Sequence, residues 1–335
     1  MLDTSALMEI ILNNKPEYLL VGSTARKSKK FSILPNRTIN NMVASSILIT
    51  DQYTCNHILG LVDGKVPVIL ADIEGKQDVN IFASAKKVIR HSRIIPYKPN
   101  DMTLEAADVL LNKHFNYDLI NKNILIFGTG NLAGKLALRL SERNASVTIS
   151  GRNQQKASQL ANLINILLPK FSHNTVKAFT HNKSDENQFD ALVSFVSAER
   201  VLNSNYFKYL TPDALVVDGG INNLSEELIE LKNHKDLSII RLDTRIGLPF
   251  VESFLNAFDN DFFQNVVGEK KIDGVNCVAG GIIGSHGDII LDNISSPTQV
   301  IGVANGLGGL KDEGEYNSAD KRQLSILQQR ILSDN

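Results

Sequence analysis

From about residue 123 onward, short apolar runs alternate with amphipathic stretches. The runs occupy residues 124–127, 146–150, 176–179, 191–196, 214–217 and 237–242, with amphipathic segments such as 155–168 and 225–232 between them. Brief, continuous apolar runs read as strands buried on both faces, and their alternation with helices is the rhythm of a parallel sheet covered on both sides. Six such runs predict a doubly wound α/β domain. The first 118 residues alternate more loosely. Strands are expected at 18–22, 46–50, 66–71 and 93–96, and helices at 4–12, 41–44 and 79–89, which predicts a small separate α/β domain. Apolar residues at helical spacing in Thr103-Leu-Glu-Ala-Ala-Asp-Val-Leu-Leu-Asn-Lys predict a helix joining the two. Residues 250–258 and 320–332 read as helices, the second closing the chain. Between them, 274–309 is rich in glycine and is expected to form apolar strands with glycine bends. The predicted organisation is an N-terminal α/β domain over 1–118, a six-stranded doubly wound domain over 119–246, and a glycine-rich extension over 247–335 that packs back on the domain interface.

The most specific local signal lies at the end of the first of the six strands, in Ile124-Leu-Ile-Phe-Gly128-Thr-Gly130-Asn-Leu-Ala133-Gly134. A strand, a G-x-G-x-x-A turn and a helix together make an anion site. The first glycine permits the tight turn, the second lets a pyrophosphate approach the backbone, and the small third residue lets helix pack on strand. Gly128, Thr129, Gly130, Asn131, Leu132 and Ala133 are therefore the expected pyrophosphate contacts of a Rossmann-type domain. An NAD site usually places a carboxylate after the second strand, whereas here Ser146-Val-Thr-Ile-Ser150 runs into Gly151-Arg152-Asn153-Gln-Gln-Lys156. Arg152, with Asn153 beside it, fits a 2′-phosphate, so NADP is expected, with NAD as the alternative. The plainer reading of Arg152 is a solvated arginine. Asp218-Gly219-Gly220 ends the fifth strand, where Gly219 either faces the nicotinamide or merely turns the chain.

Composition narrows the partners. The 335 residues carry a formal net charge of −1 and no Trp, which gives no reason to expect nucleic acid or an anionic membrane surface. No apolar run approaches the roughly 20 residues that span a bilayer. Met1-Leu-Asp-Thr-Ser lacks the regions of a signal peptide, and Cys55 and Cys277 form no metal-like pair, so a cytoplasmic protein is expected. A homodimer is the default expectation. No metal is expected: Ser285-His286-Gly287-Asp288 places a His and a carboxylate two apart, but nothing completes a ligand set.

Hydride chemistry also needs groups that orient the substrate and handle a proton. Two polar clusters fall where the first domain meets the second. One is Asp72-Ile-Glu74-Gly75-Lys76 after the strand 66–71, and the other is Lys98-Pro99-Asn100-Asp101-Met102-Thr103 before the linking helix. Lys76 and Asp101 are the candidate catalytic pair. Each has a plain alternative, Lys76 as a surface lysine and Asp101 as a helix cap.

Asn100-Asp101-Met-Thr103-Leu-Glu-Ala106-Ala107 and Gly151-Arg152-Asn-Gln-Gln-Lys156-Ala157, with this domain order, resemble the superfamily of shikimate dehydrogenase and the methylene-tetrahydrofolate and methylene-tetrahydromethanopterin dehydrogenases. The resemblance covers about residues 66–245. It implies a substrate cleft between the two domains and gives Lys76 and Asp101 the positions of the shikimate dehydrogenase lysine and aspartate, with Asn100 and Thr103 as substrate contacts. The serine-rich carboxylate motif of shikimate dehydrogenases is missing. Gly22-Ser23-Thr24-Ala-Arg26-Lys27-Ser28 stands in its region, with Ser23 as its candidate contact, and the chain is not expected to be shikimate dehydrogenase itself. The implied function is an NADP-dependent oxidoreductase passing hydride between nicotinamide and a small polar metabolite. Its rivals are a lyase, cyclodeaminase or epimerase that keeps a bound dinucleotide without net redox, and a non-enzymatic NAD(P)-sensing protein.

Overall fold

The computed structural model describes residues 4–25, 30–180, 188–234, 236–260 and 262–334. The chain forms two compact units, Met1–Glu252 and Ser253–Asn335.

The first unit holds two sheets. Strands β1 (Tyr18–Gly22), β2 (Phe31–Ile39), β3 (Met42–Ile49), β4 (Val68–Asp72) and β5 (Arg93–Tyr97) form the N-terminal sheet in the order β2-β3-β1-β4-β5. All neighbours are parallel except β2 and β3, which form a hairpin. Asn40 and Asn41 have φ of 49° and 61°, the left-handed pair that a tight two-residue hairpin turn requires and that Asn tolerates. The helix expected at 41–44 is thus the start of β3, and β2 has no counterpart among the expected strands. Pro35 interrupts β2, and the pairing register shifts between Leu34 and Arg37, a bulge on an edge strand where Pro costs no ladder bond. Helices α1 (Ser5–Asn14), α2 (Gln52–Val62) and α3 (Ile81–Val88) bury Leu7, Ile58, Leu59 and Ala85 in a core with Leu19, Val21, Ile47 and Ile69.

Helix α4 (Pro99–His114) leads into the second sheet. Its strands are β6 (Asn123–Phe127), β7 (Ser146–Ser150), β8 (Lys177–Ala178), β9 (Phe189–Ser194), β10 (Leu210–Asp218) and β11 (Ser238–Arg241). Their order is β11-β10-β9-β6-β7-β8, every pair parallel. This is the doubly wound order, with the direction of winding reversing between β6 and β9. Helices α5 (Asn131–Glu142) and α6 (Gln154–Leu167) cover one face, packing Leu136, Leu140 and Ile164 onto Ile124, Ile126 and Val147. The other face buries Leu125, Leu192 and Val216 with Tyr209 and Leu228 of α7 (Glu226–Glu230). Helix α8 (Leu248–Phe258) ends this unit and begins the next.

In the second unit β12 (Gly268–Ile272) and β13 (Val275–Ala279) are antiparallel across Asp273-Gly274, whose φ values of 48° and 83° again mark a tight hairpin. β14 (Ile289–Leu291) and β15 (Val300–Val303) complete a four-stranded sheet. Helix α9 (Ser318–Asp334) adds Leu327 and Ile331 to its core. Buried beside α9, Lys311 Nζ lies 3.1 and 2.9 Å from the two oxygens of Asp320. Asp320 also accepts the Asn317 N–H, and its own N–H donates to Asn317 Oδ1, which fixes the helix start.

Candidate functional site

The glycine turn sits at the reversal point of the six-stranded sheet, where doubly wound proteins hold ligands. Gly128 has φ of +144°, and a Cβ there would lie 2.7 Å from the Phe195 carbonyl oxygen, so no other residue fits between β6 and the loop after β9. Its N–H donates to Ser150 O at 2.8 Å. Gly130 is the N-cap of α5, has no capping side chain, and nothing lies within 4 Å of where its Cβ would be. That open cradle leads onto the first-turn N–H groups of Asn131, Leu132 and Ala133, which have no intrahelical acceptors. Asn131 is exposed, Leu132 half-buried and Ala133 buried under the helix. Thr129 lies against Gly151, whose Cβ would come within 3.0 Å of Thr129 Cγ2. The end of β7 therefore runs beside the turn and brings exposed Arg152 next to it. Asn153 is engaged elsewhere, its Oδ1 accepting the Lys156 N–H to cap α6. These residues fit a dinucleotide, with a bare backbone cradle for the pyrophosphate and an exposed guanidinium after the second strand.

The loops after β9 and β10 flank the same sheet edge and are tied together by Asn223, which is fully buried. Its Oδ1 accepts the Ser194 hydroxyl at 2.6 Å, and its Nδ2 donates to Val196 O at 3.0 Å and Ala198 O at 2.8 Å. Its backbone N–H donates to Asp218 Oδ2. Gly219 and Gly220 are required by this packing. A Cβ on Gly219 would strike the Phe195 ring at 2.4 Å, and one on Gly220 would strike Asn223 Oδ1 at 2.2 Å. Gly219 thus serves loop packing at the cofactor edge. Asn223 is not legible in the sequence, because a buried Asn after a turn carries no pattern of its own.

Lys76 lies at the carboxyl end of the N-terminal sheet, 13% exposed, with Nζ 2.8 Å from Glu74 and 3.7 Å from Asp72. Asp72 is buried and accepts the Ser23 N–H, the Ser23 hydroxyl and the Glu74 N–H. Glu74 accepts the Asn100 N–H at 3.0 Å. Asp72 and Glu74 also border a hollow of about 310 Å³ with Gln52, Gln77, Asp78 and Asn80. Ser23 therefore spends its hydroxyl on Asp72, and Arg26, Lys27 and Ser28 of the same loop lie outside the described residues.

Lys76 and Asp101 are not a pair. Asp101 is held by Lys135 at 2.6 Å and Lys98 at 3.2 Å. Burial pushes its carboxyl up, but the hydrogen bonds and charges of the two lysines outweigh this and hold it below the ordinary carboxylate range. Asp101 begins a row of ion pairs joining α4 to α5: Glu105 meets Arg139, and Asp108 meets Arg139 and, through both oxygens, Arg143 at 2.6 Å. Acidic positions four and three apart on one helix face basic positions four apart on the other. The partners of Lys76 are instead Glu74 and Asp72, two and four residues before it. Thr103 bonds back to Pro99 O within α4. Asp288 folds onto the Ser285 N–H, and among the described residues no group of three or more His, Cys, Asp or Glu could hold a metal.

Residues 109–221 match the family model of shikimate / quinate 5-dehydrogenase. A glutamyl-tRNA reductase of Christiangramia forsetii is 27% identical over 168 residues, covering 49% of this chain and 37% of that protein. The bifunctional protein FolD of Clostridium beijerinckii is 26% identical over 180 residues, covering 49% of this chain and 58% of that protein. The chain thus spans between about a third and about three fifths of these relatives. A solved shikimate dehydrogenase in complex with NADP+ aligns with a TM-score of 0.44 and 13% identity over 72% of this chain and 91% of that one. Strand order and glycine turn define the class as a Rossmann-fold protein, and residues 109–221 are similar to the shikimate / quinate 5-dehydrogenase family. No helix among the described residues is long and apolar enough to cross a membrane.

Proposed function

We propose that the chain is an NADP-dependent dehydrogenase that passes hydride between nicotinamide and a small polar metabolite held near Lys76. The observation that carries this reading is the turn at Gly128, with its cradle open at Gly130 and Arg152 brought alongside by the contact of Gly151 with Thr129. Gly128 to Ala133 would hold the pyrophosphate, and Arg152 the 2′-phosphate, as a guanidinium binds phosphate in a fork. Bound NADP supplies the hydride acceptor or donor. Lys76 would orient the substrate oxygen and hold or release its proton, with Glu74 and Asp72 fixing the ammonium in place. Asp101, committed to Lys98 and Lys135, would position α4 rather than exchange a proton.

Isothermal titration with NADP and NAD tests the cofactor assignment. Tighter binding of NADP, lost on Arg152→Ala, is expected; equal binding of both by the parent protein would remove Arg152 from the site. Net reduction of NADP by a metabolite panel then separates a dehydrogenase from an enzyme that retains its cofactor without net turnover.

A further inference from the structure

The second half of α6 is more apolar than its place in the fold explains. Residues 160–168 read Leu-Ala-Asn-Leu-Ile-Asn-Ile-Leu-Leu, with Asn162 and Asn165 as the polar positions. The face turned to the sheet uses only part of this set: Ala157, Ala161 and Ile164 are buried, with Leu160 and Leu168 packed beside them. Leu163, Ile166 and Leu167 lie outside that face and are 59%, 79% and 64% exposed. Positions three and four apart are neighbours on a helix, so these three form one stripe. Pro169 follows the helix, and Phe171 beyond it is 81% exposed. A helix that is apolar all round is ordinarily buried all round.

Its surroundings give the stripe a defined shape and almost no charge. The Asn165 Oδ1 accepts the Val176 N–H at 2.7 Å, and its Nδ2 donates to Val176 O at 2.9 Å. That amide occupies backbone which the sheet edge would otherwise offer to another strand just before β8. What α6 presents is therefore a helix face and not a strand edge. The turn carrying Phe171 is held by the Ser172 N–H on Pro169 O at 2.9 Å and by Asn174 Nδ2 on Asn144 O at 2.6 Å. From Ala157 to Ser172 the only ionisable side chain is Lys170, and its Nζ sits over the Phe171 ring, 5.5 Å from the centroid.

We propose that this face is where a second copy of the chain docks, α6 against α6 about a twofold axis. A twofold pair uses the same patch on both subunits, so the patch must suit itself. An uncharged apolar stripe does, because pairing sets no like charges together and leaves the exposed Gln159 and Asn162 for a polar rim. At roughly 150–200 Å² for a fully exposed side chain of this size, Leu163, Ile166, Leu167 and Phe171 present about 500 Å² of surface, the size of a functional patch on a monomer. Pairing two copies removes about 1,000 Å² from water, the area at which specific association begins. The 14 residues of α6 span about 21 Å, and the helix starts beside Arg152. A contact at its far end thus leaves the glycine turn of each copy open to cofactor. The inference is independent of the dehydrogenase reading.

Sedimentation velocity of the full chain over a wide concentration range tests it. The parent is expected to pass from monomer to a species of twice the chain mass as concentration rises. Ile166→Glu sets two carboxylates together across the axis and should raise the dimer dissociation constant at least tenfold, with Phe171→Ser shifting it in the same direction. Leu307→Glu, the same change at an exposed apolar residue of the second unit, should leave the constant within twofold. Far-UV circular dichroism verifies that each variant is folded. Ile166→Cys supplies a second readout: a short bismaleimide should join it into a covalent dimer, since Cys55 and Cys277 are buried, whereas Leu307→Cys should stay uncoupled. A parent that is monomeric at every concentration, a dimer that folded Ile166→Glu leaves intact, or one that Leu307→Glu weakens equally overturns the assignment.

Discussion

Replacing Asn223 by Leu keeps the volume but deletes every polar atom of the side chain. Five groups lose a partner: the Ser194 hydroxyl, the Val196 N–H, and the carbonyls of Val196, Ala198 and Ile221. A buried polar group left unpaired costs about 1–3 kcal/mol. Ser194 is fully buried and bears the whole penalty, whereas Val196 and Ala198 are half-buried and Ile221 is exposed, so water reaches them. A destabilisation of about 3 kcal/mol follows, which lowers Tm by roughly 6–12 °C for a unit of this size. The assay is thermal and urea unfolding by far-UV circular dichroism, because the chain has no Trp. The loops that Asn223 joins border the cofactor edge, so NADP affinity should fall in parallel. Asn222→Gly is the control: Asn222 is exposed with φ of 56°, a conformation glycine adopts freely. If Asn223→Leu stays within about 0.5 kcal/mol of the parent, the spread expected of an uninvolved surface site, Asn223 does not tie these loops together.

Arg152→Ala should weaken NADP about 10- to 150-fold, the value of a charge-assisted hydrogen bond, and leave NAD unchanged; calorimetry with both cofactors checks it. Gly128→Ala should abolish cofactor binding by forcing its methyl group against Phe195 O, and a retained thermal shift with NADP would contradict this. Lys76→Ala should cut turnover at least about 100-fold with NADP affinity within twofold, since general acid–base groups contribute on that order; a changed Kd with unchanged turnover would reverse the assignment. In the second unit the hydrogen bond from Lys311 holds the Asp320 carboxyl below its ordinary value. Its folded pKa is depressed, so its contribution to stability is full above about pH 4 and lost as pH falls through the lowered value. Hydrogen exchange in α9 and β15 should accelerate in that acid window, and in Lys311→Met the acceleration should begin at higher pH.

The central strands β6, β9 and β10 were legible because they are buried on both faces over apolar runs. The more exposed β7, β8 and β11 were legible through their place in the repeat, and the glycine turn because backbone clearance selects residue type. β2 was not, since an edge strand carrying Pro35 and a bulge alternates with neither period. The helix expected at 41–44 failed for a related reason: Asn40-Asn41 encodes a hairpin turn, and the run after it is too short to separate strand from helix. The Asp273-Gly274 hairpin carried a turn signal, but the glycines around it obscured the strands. Lys76 was read as paired with Asp101, whereas the structure sets it beside Glu74 and Asp72. Proximity across the fold is set by tertiary packing, and Asp101 was drawn instead to a lysine 34 positions later that only the lie of α4 along α5 brings near.

That row of charges between α4 and α5 has a consequence for anyone wishing to cut this protein in two. A nucleotide-binding fragment begun at residue 119 would leave Lys135, Arg139 and Arg143 without the carboxylates of Asp101, Glu105 and Asp108, and would bare the α5 surface that Leu104 and Leu111 cover. The place to cut lies ahead of Pro99. By charge and by packing, the helix that joins the two sheets belongs to the second of them.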